Sequence, residues 1–141
     1  MRFVNISIGT KDSHMMNLSV SHLKAEGYDF EYRCFDSSDL DDDPVLLSEA
    51  LDYVSDADMV SMKVHGDTSY FKKFDRLEAF LLSNSVCTVL ECTDDGVTES
   101  FRGMFHGDDA DHRRCIAYIR LGGHENFSSL ILWGLRRFDG I

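Results

Sequence analysis

Four short apolar segments alternate with amphipathic stretches over roughly the first ninety residues of this chain. The segments are residues 2–8, 30–35, 59–64 and 86–90. After the first of them, Met16, Val20 and Leu23 recur at the spacing of one face of a helix. A strand–helix–strand order places helices against the faces of a parallel sheet. The alternation therefore predicts an α/β fold, a flavodoxin-like or Rossmann-like three-layer sandwich with a mostly parallel sheet of four to five strands.

The length and charge of the chain limit the classes of protein that it can belong to. Its 141 residues suit one ordinary domain. No segment approaches the roughly 18 consecutive apolar residues of a membrane span, and the alternating N-terminus does not resemble a signal peptide. We therefore expect no membrane span. A net charge of −11 repels phosphate backbones, so we also expect no nucleic-acid partner.

The cysteines and the acidic clusters are expected to have structural roles. Three of the four cysteines lie inside apolar runs, and none forms a CxxC pair, which predicts buried free thiols in a reducing cytoplasm. The four are Cys34, Cys87, Cys92 and Cys115. Acidic residues cluster at 36–43 and 108–111 without the spacing and glycine of a calcium loop, so solvated loops and helix caps are expected there.

Local sequence signals predict where several helices begin. Residues 36–43 have the composition of a polar loop, and Asp43 is expected to cap the helix that follows it. A cap at Asp67, or at the threonine after it, is expected to begin a third helix with Tyr70 in its apolar stripe. Residues 97–107 show no clear period and are expected to be irregular.

Ligands of open parallel sheets bind beyond the carboxyl ends of the strands. Three loops qualify here, at residues 9–13, 65–69 and 91–96. The first lacks both glycine-rich nucleotide-binding motifs. In the second, Gly66 permits a sharp turn, Asp67 can cap a helix, and His65 would point into the crevice. These residues alone favour a hydrogen-bonded structural histidine over a ligand contact.

No metal site is assigned from the sequence. None of the six histidines has the HExxH spacing of a helical metal pair. His65, His106 and His124 could still meet in space, which the sequence does not decide. A response-regulator-like site fits poorly, because Asp12 and Lys63 are not placed as such a site requires.

Three further segments are distinctive. They are VHGDTSYF followed by FDRLEAFL, then CTVLECTDD, and finally YIRLGGHENFSSLILWGL. Together they resemble the N-terminal part of the large subunit shared by cobaltochelatases and magnesium chelatases, whose members carry a similar Y…GG.EN…LL.YL segment. The Gly122-Gly123-x-Glu125-Asn126 match is the most specific. Cys92-Thr93 replaces the Pro-Gly-Asp-like loop that is more usual in the family.

The resemblance implies a part in ATP-dependent metal insertion. In the family, the large subunit binds a tetrapyrrole and receives cobalt or magnesium as a substrate, in cobalamin or chlorophyll biosynthesis. Partner ATPase subunits, which use ATP with Mg²⁺, drive the insertion. Residues 1–141 are then expected to be a single domain, the N-terminal domain or a fragment of a much larger chelatase subunit, and inactive alone. The candidate substrate-binding residues are His65, Gly66, Asp67, Glu125 and Asn126.

The glycine-rich segment also has a structural interpretation. Glu125 or Asn126 can cap the helix that begins there, and Asn126 can bond backbone groups across the loop. This structural role is preferred, and a ligand role would place both residues beside His65. The alternative function is a non-catalytic flavodoxin-like docking module whose acidic surface binds a basic partner protein.

Overall fold

A four-stranded, all-parallel sheet forms the middle layer of the protein, with the strand order β2-β1-β3-β4. The computed structural model describes residues 1–141. The strands are β1 (Arg2–Ile8), β2 (Glu31–Asp36), β3 (Met59–Val64) and β4 (Cys87–Cys92). The helices are α1 (His14–Ala25), α2 (Ser37–Asp42), α3 (Pro44–Ser55), α4 (Phe74–Ser83), α5 (Asp95–Ser100), α6 (Asp109–Leu121) and α7 (His124–Asp139). Two 3₁₀ turns lie at Thr68–Tyr70 and Arg102–Met104.

Both faces of the sheet are covered, because alternate residues of a strand point to opposite sides. Val4 and Met62 belong to the core beneath α2, α3 and α4. Phe3 and Met59 belong to the core beneath α1, α6 and α7. The two cores contain 21 and 17 buried residues, so neither helical layer is marginal. The predicted three-layer α/β sandwich is confirmed, with a sheet of four strands.

The prediction of a polar loop at residues 36–43 was wrong, because α2 lies there. Leu40 is its one buried apolar side chain, and a hydrophobic period cannot be read from a single residue. The Asp41 carboxylate accepts two backbone hydrogen bonds, of 2.9 and 3.1 Å, from the residues just before α4. Asp43 accepts from two N–H groups in the first turn of α3, which confirms its predicted capping role.

The third long helix begins later than predicted. Asp67 accepts a 3.0 Å hydrogen bond from the backbone N–H of Ser69, but the element that it caps is a 3₁₀ turn. Extended backbone at Phe71 ends this turn, and α4 begins only at Phe74. Tyr70 is 65% exposed and lies outside the apolar stripe, whereas Phe71 is buried in the core.

Residues 97–107 are also more regular than expected, and they cover the outer edge of β4. The Thr98 hydroxyl accepts from the N–H of Cys92 at 2.9 Å and donates to the carbonyl of the same residue at 2.8 Å. At the other end of the strand, the N–H of His106 donates to the Cys87 thiol. These bonds occupy groups at both ends of β4, so the segment ends the sheet on this side.

The two ends of the chain meet at the amino end of the sheet. The Met1 ammonium donates to both carboxylate oxygens of Asp139, at 2.9 and 2.7 Å. Close packing nearby accounts for Gly134 inside α7, since a Cβ there would lie 2.8 Å from the Met1 sulfur. None of the helices combines the length and the apolar character that crossing a bilayer demands.

All four cysteines are free, and Cys87, Cys92 and Cys115 are buried. The prediction of buried thiols is therefore confirmed for the three residues inside apolar runs. Burial raises the pKa of the Cys115 thiol to about 12, with a smaller contribution from Cys87. Burial also raises the pKa of Cys87. Both thiols are therefore protonated and unreactive at neutral pH.

Candidate functional site

The crevice expected to hold a ligand lies between the carboxyl ends of β1 and β3. These strands are neighbours in the sheet, but the chain leaves them towards helices on opposite faces, α1 and α4. Such a divergence is the topological switch point at which open α/β sheets bind ligands. The loops at residues 9–13 and 65–69 therefore form the candidate site.

Backbone contacts hold the two loops together. The N–H of His65 donates to the carbonyl of Ile8 at 2.8 Å. Gly9 has φ +85°, and a Cβ on it would lie 2.3 Å from the His65 carbonyl oxygen. Gly66 has φ +88°, and a Cβ on it would lie 2.5 Å from the Tyr70 ring. Both positions therefore require glycine.

The side chain of His65 lies at the mouth of the crevice and is 45% exposed. Its Nε2 is 3.6 Å from an Asp12 carboxylate oxygen on the opposite loop, so the pair is an ion pair when the imidazole is protonated. The two residues that follow His65 are required by the turn itself. Gly66 provides a positive φ angle, and the side chain of Asp67 caps the 3₁₀ turn. Of the three, His65 is the one whose side chain is free to contact a ligand.

A polar cavity of about 230 Å³ lies beside these loops. Its lining is rich in hydroxyl groups and consists of Gly9, Thr10, Lys11, Ser37, Ser38 and Tyr70. The Lys11 ammonium is 3.2 Å from Asp39, so its charge is partly compensated. The cavity is smaller than the roughly 300–1,000 Å³ of most ligand pockets, so it suits a small ion or one edge of a larger ligand.

A row of polar side chains crosses the sheet just below this edge, on the side of α1, α6 and α7. The strand register places Asp36 beside Ser7, Ser7 beside Lys63, and Lys63 beside Glu91. Ser7 and Glu91 are buried, with 1% and 3% exposure. Sequence reasoning missed this row because it depends on strand register. The available signal was the polar residues at alternate positions of apolar strands.

Long cationic side chains join this row to the end of α6. Lys63 Nζ donates to the carbonyl of Ile119 at 3.3 Å, a favourable position for a cation in the last turn of a helix. Arg120 donates to the carbonyl of Cys92 at 2.9 Å, and its Nε lies 3.5 Å from the buried carboxylate of Glu91. The ends of β3, β4 and α6 are therefore fixed together at the carboxyl edge.

Asp36 lies at the β2 end of this row, and its carboxyl has a raised pKa. One of its carboxylate oxygens is buried without a hydrogen-bond partner. Burial raises the pKa of this carboxyl, the charge of Asp39 raises it further, and Lys11 opposes both. A proton is therefore held more tightly at Asp36 in the folded chain than in the unfolded chain.

The glycine pair and the residues after it form the loop between α6 and α7. Gly122 and Gly123 both have positive φ, at +66° and +87°. Asn126 donates to the carbonyl of Gly122 at 2.8 Å, so the predicted bond across the loop is confirmed. The expectation that Glu125 or Asn126 caps α7 was wrong, because Gly123 is the N-cap and no side chain caps the helix. No hydrogen bond or ion pair joins either residue to His65.

The three histidines that could have met in space do not form a cluster. His65 is at the carboxyl edge, whereas His106 lies at the amino end of the sheet, against the Cys87 thiol. His124 packs edge-on against His22, with 4.3 Å between the ring centroids. No three His, Cys, Asp or Glu side chains are grouped closely enough to hold a metal ion.

Fold and loops together define an open α/β domain with a small polar crevice at its switch point. A glycine-rich loop between two helices lies at the same edge of the sheet. Comparison of the chain with protein-family models and with curated proteins finds no match.

Proposed function

We propose that this domain is the N-terminal segment of the large subunit of an ATP-dependent metal chelatase, of the cobalt type in preference to the magnesium type. What supports this is the meeting of the three segments that resemble the family. Gly66 comes from the first, Cys92 from the second and Arg120 from the third. The Cys92 thiol donates to the carbonyl of Gly66 at 3.5 Å, and Arg120 donates to the carbonyl of Cys92 at 2.9 Å, so the three segments share one edge of the sheet.

The role proposed for the domain is to bind one edge of the tetrapyrrole. His65 is half-exposed there, and the exposed ring of Tyr70 lies over Gly66, where it can stack against a macrocycle. Glu125 and Asn126 would contact the substrate from the loop before α7. The metal is a substrate held elsewhere, since this domain has no cluster of three ligating side chains. ATP and Mg²⁺ belong to the partner ATPase subunits.

Titration with a hydrogenobyrinic acid derivative, and separately with protoporphyrin, tests the proposal. Tetrapyrrole absorption overlaps tryptophan emission, so binding should quench Trp133, the single tryptophan. His65→Ala should weaken binding about three- to tenfold, the value of one hydrogen bond. His106→Ala is the matched control, because that histidine lies at the opposite end of the sheet.

The titration has a second arm with partner ATPase subunits. We expect the rest of the large subunit and these partners to be retained by the immobilised domain. If neither tetrapyrrole quenches Trp133 and no partner subunit is retained, the chelatase proposal is wrong. Equal loss of binding in the two histidine variants would exclude the carboxyl edge as the site.

The alternative proposal is a non-catalytic docking module that binds a basic partner protein. The net charge of −11 favours it, because such a surface attracts a cationic partner at long range. Native mass spectrometry would then show a protein complex that dissociates with added salt, and no shift with either tetrapyrrole. A complex that is insensitive to salt would contradict this alternative.

A further inference from the structure

A second and larger cavity, of about 440 Å³, lies between α5 and α6, two helices that pack beside β4. Its α5 wall carries Thr98 and two acidic residues, and its α6 wall carries His112, Arg113 and Ile116. The volume falls within the roughly 300–1,000 Å³ of sites that hold small organic molecules. Arg120 links this cavity to the carboxyl edge, but none of the residues proposed to contact the tetrapyrrole lines it, so the two sites are distinct.

His112 is a buried polar group in the wall of this cavity. It is 5% exposed, and its ring makes no hydrogen bond within the protein. The ring packs edge-on against Phe105, with 5.3 Å between centroids. Burial lowers the pKa of His112, and the charge of Arg102 lowers it further, so the imidazole is neutral. A neutral imidazole offers one donor and one acceptor, and because neither is used within the protein, both are available to a ligand in the cavity.

Arg113 supplies an uncompensated positive charge at the same wall. The next arginine of α6, Arg114, lies 3.5 Å from Asp111. Arg120, seven residues after Arg113, lies against Glu91 and Asp95. Arg113 makes no ion pair. A free guanidinium beside an unpartnered imidazole favours an anionic ligand group.

Apart from Arg120, the remaining α6 wall is apolar and defines the body of the ligand. Ile116 and Ala117 line the cavity one turn after Arg113, and Leu121, which is 75% exposed, lies at its end. Glu99 on the α5 wall adds a negative charge to the cavity, which disfavours a doubly charged phosphate more than a singly charged carboxylate. A singly charged carboxylate with an apolar body therefore fits both the charges of the cavity and the apolar part of its α6 wall.

We propose that the groove between α5 and α6 binds a small monocarboxylic acid with an aromatic or branched aliphatic body. The carboxylate pairs with Arg113 and accepts a hydrogen bond from His112. The body of the acid lies on Ile116 and Leu121. This site is independent of the proposed chelatase function, and either can fail without the other.

Titration of the full chain with benzoate, followed by two-dimensional ¹H–¹⁵N NMR, tests the proposal. Benzoate has the required charge and body, and benzamide is its uncharged match. We expect saturable shifts at Thr98, His112 and Arg113 with benzoate, at a Kd of about 1 mM. Benzamide should bind about tenfold more weakly, because it lacks the charge.

Two arginine variants on the same helix separate a specific site from general attraction. Arg113→Gln should weaken benzoate binding about tenfold, the usual loss for a hydrogen bond to a charged group. Arg114→Gln removes the same charge outside the groove and should leave the affinity unchanged. Spectra of both variants report directly whether they fold. The proposal is overturned by three results: no shifts up to about 50 mM benzoate, equal binding of benzamide, or equal effects of the two variants.

Discussion

Arg120 makes a sharp test of how the carboxyl edge is held together. Its guanidinium lies 3.5 Å from Glu91, 2.9 Å from Asp95 and 2.9 Å from the carbonyl of Cys92. Glu91 is 3% exposed, and its Oε2 has no hydrogen bond. The contact with Arg120 is therefore an ion pair without a hydrogen bond, and it is the compensation for a buried charge. Replacing Arg120 by Met keeps most of the stem and removes the charge.

The expected loss follows from the three contacts of Arg120. The bond to the Cys92 carbonyl is worth about 1.5–3 kcal/mol, since its donor is charged. The pair with the 84%-exposed Asp95 is worth at most about 1 kcal/mol. A buried carboxylate left alone costs roughly 3–5 kcal/mol. Arg120 itself is 41% exposed, so water replaces part of what is lost. We therefore expect Arg120→Met to cost about 3 kcal/mol, a large share of the roughly 5–15 kcal/mol of a typical domain.

Urea denaturation followed by far-UV circular dichroism and by Trp133 fluorescence measures this loss. A double-mutant cycle with Glu91→Gln isolates the ion pair, and the double variant should recover about 1–2 kcal/mol of the summed losses. Arg113→Met is the matched control on the same helix and should change stability by less than about 0.5 kcal/mol. If Arg120→Met is as stable as the control, or if the cycle shows no coupling, Glu91 is not held by Arg120.

Three further measurements test other parts of the structure. Gly9→Ala should lower the free energy of unfolding, measured in urea, by at least about 2 kcal/mol, because Gly9 has a positive φ and an added Cβ would clash with backbone. Gly27→Ala, at φ +100° with open space around it, should lose only the part due to positive φ. Equal losses in the two variants would exclude the clash. Asp36→Asn should be more stable than the wild type at neutral pH. The pKa of Asp36 is raised in the folded protein, so the wild type loses stability as the pH rises through that pKa, and the advantage of the variant should vanish in acid. A difference in stability that does not change with pH would contradict the direction of the pKa shift. In the native state, iodoacetamide should modify Cys34 alone, since the other thiols are buried; native labelling of Cys115 would contradict its burial.

The layers of the fold could be predicted from the sequence because long periodic segments report burial directly. Four apolar segments and the helices between them indicated a parallel sandwich, and Asp43 was identified as a cap from local chemistry. The short elements were missed for an equally physical reason. Helix α2 buries Leu40 as its one apolar residue, and α5 belongs to a stretch in which the hydrogen bonds of Thr98 replace a hydrophobic period.

The candidate site was predictable only in part. Gly66 and Asp67 were recognised as a turn and a cap, because both roles follow from neighbouring residues. The polar row was not, because placing Lys63 between Ser7 and Glu91 requires the register of three strands. The cavity that contains His112 was also missed. Its second wall is α5, which lies in a stretch that was expected to be irregular, so no wall facing α6 could be predicted.

The contact between Met1 and Asp139 has a consequence for the connectivity of the chain. Because the two ends touch, a short peptide could join them into a ring, and the ring could be reopened at the exposed Gly27 between α1 and β2. Joining removes the ammonium partner of Asp139, a loss of about 1 kcal/mol or less for a pair of this exposure. The first strand of the permuted chain would be the edge strand β2, and its last strand would be the central strand β1, followed by α1. Every strand would keep its neighbours, but β1 would be the last strand to be synthesised, so the sheet could be completed only when its middle strand arrived.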